Sequence, residues 1–174
     1  MKEVTRRVIE HIVLTSEQPY GDVKAALESR MSVLGNTDEL VRQFISAKAS
    51  WDQIKQGIAE RMGKSGFTIF SKIEQGQLLA FAGKPVPVCQ YAIGNPLLAI
   101  EMIEHVPEVA LYAPLRSALY ELEGKTRIAY DRFTSVLSSY QNSRIDEVAA
   151  RVERHLEQLI EEALGVSSGR PAAS

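Results

Sequence analysis

The sequence predicts a compact single α+β domain, with a mixed or antiparallel sheet covered by helices and an amphipathic helix near its C-terminal end. Three stretches carry that prediction. Val86 to Pro114, VPVCQYAIGNPLLAIEMIEHVPEVALYAP, reads as strand, tight turn, buried helix and returning strand with almost no polar interruption. Arg116 to Leu122 and Lys125 to Asp131 flank Glu123-Gly124, a hairpin signal that makes the sheet partly antiparallel. From Ile145 to Ala163 an apolar stripe recurs at helical spacing.

In chain order, Arg7 to Thr15 is rich in β-branched residues and reads as a strand. Ser16 to Pro19 turn the chain into a helix over Tyr20 to Met31, with Tyr20, Val23, Ala26, Leu27 and Met31 on one face. Gly35-Asn36 ends that unit. Thr37 can cap a second helix over Asp38 to Ala47, and Ser50 with Gln53 forms a capping box opening a third over Trp51 to Met62. Gly63-Lys64-Ser65-Gly66 ends like a phosphate loop but fails the pattern. The glycine required five positions before Gly63 is Ile58, and the segment runs from helix into strand, so it reads as a helix stop and turn. Phe67 to Glu74 alternates as a strand with one polar-leaning face, and Gln77 to Ala82 fits either a short helix or a lid over the core.

The central stretch begins with a strand apolar on both faces, which places it inside the sheet. Gly94 breaks it, Asn95 is a preferred N-cap, and Pro96 occupies the first helical position, where its missing N–H costs nothing. Pro107 stops the helix. After the hairpin, Asp131 can cap a short helix through Leu137. Ser143 with Asp146 opens the last helix, Glu147 and Arg151 are spaced to pair along it, and Gly165 ends it. One domain over residues 1–164 and a disordered tail over 165–174 follow.

Composition narrows the function classes. A chain of 174 residues can bury roughly 70% of its unfolded surface without staples. The net charge of −2, with no dense basic patch, argues against nucleic acid as a partner. Cys89 is the sole cysteine, which rules out an internal disulfide or thiolate cluster and suits a cytoplasmic, reducing compartment. No run approaches the ~18 apolar residues of a membrane span, and the charged N-terminus does not read as a signal peptide.

The segments IGNPLLAIEMIEHVPEVALYAPLRSALYE, TRIAYDRFTSVL and SRIDEVA together resemble the bacterial domain-of-unknown-function-302 family. Their most specific pieces are Gly94-Asn95-Pro96, His105-Val106-Pro107, Tyr112-Ala113-Pro114 and Tyr130-Asp131-Arg132. The resemblance covers most of Phe67 to Leu164 and implies a compact α+β fold with helices against one sheet. It implies no established activity. Residues 36–64 look like a helical insertion relative to the family's shorter members.

Candidate site residues follow from residue chemistry. Tyr130, Asp131 and Arg132 place a phenol, a carboxylate and a guanidinium at a strand end, and are the candidates for catalysis. Their plain structural reading is Tyr130 pointing inward, Asp131 capping and Arg132 paired on the surface. Asn95, Tyr91, Tyr112 and His105 are the candidates for ligand binding. Asn95 sits at a helix N-terminus that favours anions, although capping alone explains it. No histidine or cysteine spacing matches a metal or haem motif, so no metal or cofactor is expected, and Cys89 reads as a core residue. Two function classes remain. One is a soluble, non-catalytic oligomeric module binding a small apolar or weakly acidic ligand. The other is an enzyme acting on a small organic acid through Tyr130, Asp131 and Arg132. The stripe on the last helix points to a homodimer, unless that stripe closes its own core.

Overall fold

A computed structural model describes residues 1–2, 4–33, 35 and 37–165. Asn36, expected at a turn, and residues 166–174 of the expected tail lie outside the described residues. The strands are β1 (His11–Ser16), β2 (Ser32–Val33), β3 (Thr68–Ile73), β4 (Val88–Gly94), β5 (Leu115–Leu122) and β6 (Lys125–Asp131). They form one open sheet in the order β1-β6-β5-β4-β3-β2. Every neighbouring pair is antiparallel except β2 with β3, so the sheet is mixed, one of the two arrangements, mixed or antiparallel, that the sequence leaves open.

Strand alternation sorts the two faces. The registers Ile12↔Tyr130, Leu14↔Ile128, Cys89↔Leu119 and Ile93↔Leu115 put these side chains on the core face. Val13, Ala129, Ala118 and Ala92 fall on the other face, which is half-buried or exposed. β4 is interior as expected, but only the core face, through Cys89, Tyr91 and Ile93, is fully covered. A bulge between Ile69 and Ser71 takes Phe70 out of the expected alternation. The hairpin turns through Glu123 and Gly124, both at positive φ, which Gly124 adopts without strain.

The helices are α1 (Tyr20–Ser29), α2 (Thr37–Ser46), α3 (Trp51–Ala59), α4 (Gln75–Phe81), α5 (Pro96–Ile103), α6 (Phe133–Leu137) and α7 (Ser143–Leu164). The capping box of Ser50 and Gln53 opens α3 as read. α4 resolves the ambiguity over 77–82 in favour of a helix, one with no buried residue. α7 carries Ile145, Val148, Ala149, Val152, Leu156, Leu159, Ile160 and Ala163 into the core, packed against α1, α5 and α6. The stripe that suggested a dimer is thus covered by the chain's own elements. The Ser16 hydroxyl also donates to the Leu164 carbonyl at 2.8 Å, fastening the end of α7 to β1.

Several local expectations are corrected. The first strand begins at His11, not Arg7. Where a returning strand ending at Pro114 is expected, the chain forms a 3-10 helix over Pro107–Leu111, and the strand proper starts at Leu115. α5 is not a buried helix. Only Met102 is fully covered, because α5 packs mainly on α7, α3 and the 3-10 helix that follows it, and Ile100 stays 39% exposed. The α7 cap is Asn142, whose carboxamide accepts from the Arg144 and Ile145 N–H groups, not Ser143. Asp131 does not cap α6, which starts after Arg132 with no side-chain cap. Arg151 reaches across to Glu101 on α5 instead of pairing with Glu147.

Candidate functional site

The turn from β4 into α5 builds one end of a groove. The Asn95 side-chain oxygen accepts from the Leu97 and Leu98 N–H groups at 2.9 and 3.2 Å, satisfying two of the helix's free donors. Its amide nitrogen donates to the Gly66 carbonyl at 3.0 Å, a tie the capping role does not require. A cavity of about 220 Å³ lies against α5. Its apolar lining comes from Phe70, Ile100, Met102, Pro114, Phe133 and Val152, with Asn95 at the rim. The β3 bulge is what delivers Phe70 there.

A second cavity, of about 280 Å³, adjoins the first and shares Pro114, Leu115 and Phe133 as walls. It adds Tyr112, Arg116 and Asp131. Arg116 lies one register step beyond the Ser117↔Tyr130 pair, which sets it opposite Asp131. Yet Asp131 is taken by His11, with Nδ1 2.8 Å from its carboxylate, and Arg116 makes no ion pair or side-chain hydrogen bond among the described residues. The groove therefore joins an apolar end to an end with an uncommitted guanidinium. Tyr112 is held at its margin by Arg7, which donates to the Tyr112 hydroxyl at 2.8 Å and lies over the Tyr140 ring at 4.5 Å.

The three candidates at the β6 end do not converge on one point. Tyr130 points into the core, where burial and then Glu157 and Glu153 push its phenol up to about 12. Asp131 faces the opposite side of the strand and meets His11. Arg132 pairs with Glu10 at 2.6 Å and Glu153 at 3.1 Å. Tyr91 is fully buried and donates to Glu28 at 2.7 Å, and burial followed by that bond raises its phenol far above the ordinary range. His105 is exposed beside Glu104, at another cavity on α5 and α7. Asn95, Tyr112 and Asp131 are therefore brought to the groove, and Tyr91 and His105 are not. Burial raises the Cys89 thiol, as for a core residue. No group of three His, Cys, Asp or Glu residues among those described is placed to hold a metal. Phe70, Ile100, Arg116 and Phe133 were not legible as lining residues. Each is an ordinary strand or helix residue until the bulge and the sheet order bring them together.

Asn95→Ala removes the cap and the Gly66 tie together. It should cost about 1–3 kcal/mol, more than capping alone, in a urea unfolding series. A loss no larger than a few tenths of a kcal/mol would show that neither bond matters.

The family model described as "Domain of unknown function DUF302" matches residues 43–163. That span takes in α3 through nearly all of α7 and begins inside the 36–64 segment. The crystal structure of an uncharacterized conserved DUF302 protein from Bacillus stearothermophilus superposes with a TM-score of 0.60 at 16% identity, covering 88% of this chain and 97% of that one. At that identity the likeness concerns the fold. No curated protein matches the chain. No helix among the described residues is long and apolar enough to cross a membrane.

Proposed function

We propose that this chain, which belongs to the DUF302 family, is a non-catalytic module that holds a small ligand with an apolar body and a weakly acidic group. The single observation behind this reading is the groove, in which an apolar cavity adjoins one containing an unpaired arginine. Together the two cavities fall in the range of small-molecule sites, roughly 300–1,000 Å³. The apolar lining favours a hydrocarbon body at about 25 cal/mol per Å² removed from water. Arg116 can meet a carboxylate in the two-pronged geometry that guanidinium and carboxylate share. A catalytic reading is not favoured, because Tyr130, Asp131 and Arg132 turn away from one another and the last two are spent on ion pairs.

Octanoate and octanol are suitable probes for calorimetric titration. Octanoate should bind the tighter of the two, and Arg116→Ala should weaken octanoate about tenfold while leaving octanol unchanged. Ile100→Asp, at a partly exposed position, should abolish both. Equal binding of acid and alcohol would remove Arg116 from the reading, and no saturable binding of either would sink it.

A further inference from the structure

Away from the groove, a cavity of about 680 Å³ lies between the end of α1, the 63–66 loop and the C-terminal half of α7. We propose that it is a second binding site, for a phosphate-bearing small molecule, held by Arg30, Lys64 and His155. The three residues come from three separate elements and line the same cavity.

The loop that presents Lys64 is seated before any ligand arrives. Gly63 donates to the Phe67 carbonyl at 3.2 Å, and both the Ser65 N–H and its hydroxyl donate to the Arg30 carbonyl at 3.0 Å. The Gly66 carbonyl is held by Asn95. Lys64 and His155 have no hydrogen bond or ion pair among the described residues. Arg30 is pinned in place, with Nε donating to Glu162 at 3.0 Å and Nη1 to the Ala26 carbonyl at 2.9 Å, which leaves Nη2 uncommitted.

Glu162 is the opposing charge in the cavity. Its two carboxylate oxygens accept from Gln158 and Arg30, and those bonds hold it below its ordinary range. It therefore offsets Arg30 and leaves the Lys64 ammonium uncompensated, and His155 on the same cavity wall supplies a ring N–H even when its imidazole is neutral. Donors supplied by three separate elements around one cavity can meet the several oxygens of a phosphate, where a carboxylate offers only two. The cavity also exceeds what a bare phosphate fills, leaving room for the group that carries it. The Gly-Lys-Ser-Gly run does not act here as a phosphate loop, since it runs from helix into strand, and the anion is met by side chains rather than by a backbone cradle.

Calorimetry of the full chain with inorganic phosphate and with AMP tests the site. Both should saturate, AMP with a dissociation constant below about 1 mM, while adenosine should not bind. Lys64→Ala and His155→Gln, at exposed positions, should each weaken AMP about tenfold with the melting temperature unchanged, and Arg116→Ala should leave it unaffected. Four results would overturn the proposal: no saturable phosphate binding, AMP no tighter than phosphate, adenosine binding as well as AMP, or AMP binding that survives both substitutions.

Discussion

Leu156→Asp is expected to unfold the domain rather than to separate subunits. Leu156 is 1% exposed in the middle of the α7 stripe, against the elements that α7 covers. Losing a buried leucine side chain alone costs about 2–5 kcal/mol, and the new carboxylate must either stay charged without a partner or take up a proton, which adds to the loss. Domains of this kind have about 5–15 kcal/mol in total. Circular dichroism and light scattering on the variant should therefore show lost helix and a broad or absent melting transition. A folded Leu156→Asp protein that is merely smaller in solution than its parent would mean that the stripe faces a second copy.

Gly63→Ala should be the other severe change, although it adds a single methyl group. A Cβ at position 63 would lie 2.5 Å from the Arg30 carbonyl oxygen and 2.5 Å from the Met31 Cα, both of them backbone atoms that cannot rotate aside. The loop cannot back away without giving up the two Ser65 bonds to Arg30 and the Gly63 bond to Phe67. Overpacking of this kind costs about 1–3 kcal/mol, read as a lower urea midpoint. Because the displaced loop carries Lys64, AMP binding should weaken in the same variant while octanoate binding persists. An unchanged midpoint would mean that the loop does not pack against the end of α1 as described.

Local chemistry was legible wherever it decided the outcome. Asn95 and Pro96 announce a helix start within three residues, and the structure has α5 beginning there. The Glu123-Gly124 turn, the capping box at Ser50 and the periodic stripe of α7 are legible for the same reason, since each signal lies within one continuous stretch of chain. Structure and sequence expectation part where two local signals compete. Asn142 and Ser143 are adjacent capping residues, and the backbone at Asn142 is extended while Ser143 is already helical, so Asn142 takes the cap. Asp131 remains the last residue of β6, and there its side chain meets β1 instead of turning back to the α6 amides.

The sequence by itself determined the α+β class, the hairpin, the start of α5 and the apolar face of α7, all of which rest on periodicity, capping and turn residues written within short windows. The family shows in a few local motifs. Only the tertiary structure decided which side chains share a site. His11 reaches Asp131 because β1 lies beside β6, and Tyr91 of β4 donates to Glu28 of α1, 63 residues away in the chain. Phe70 and Phe133 come to line one cavity, and Lys64 and His155 another, where Gly63 lets its loop lie on the end of α1. Such meetings are set by strand order and register, and a slip of one residue would send every strand side chain to the opposite face. No window of sequence contains that information, because the partners are brought together only when the whole sheet closes over its core.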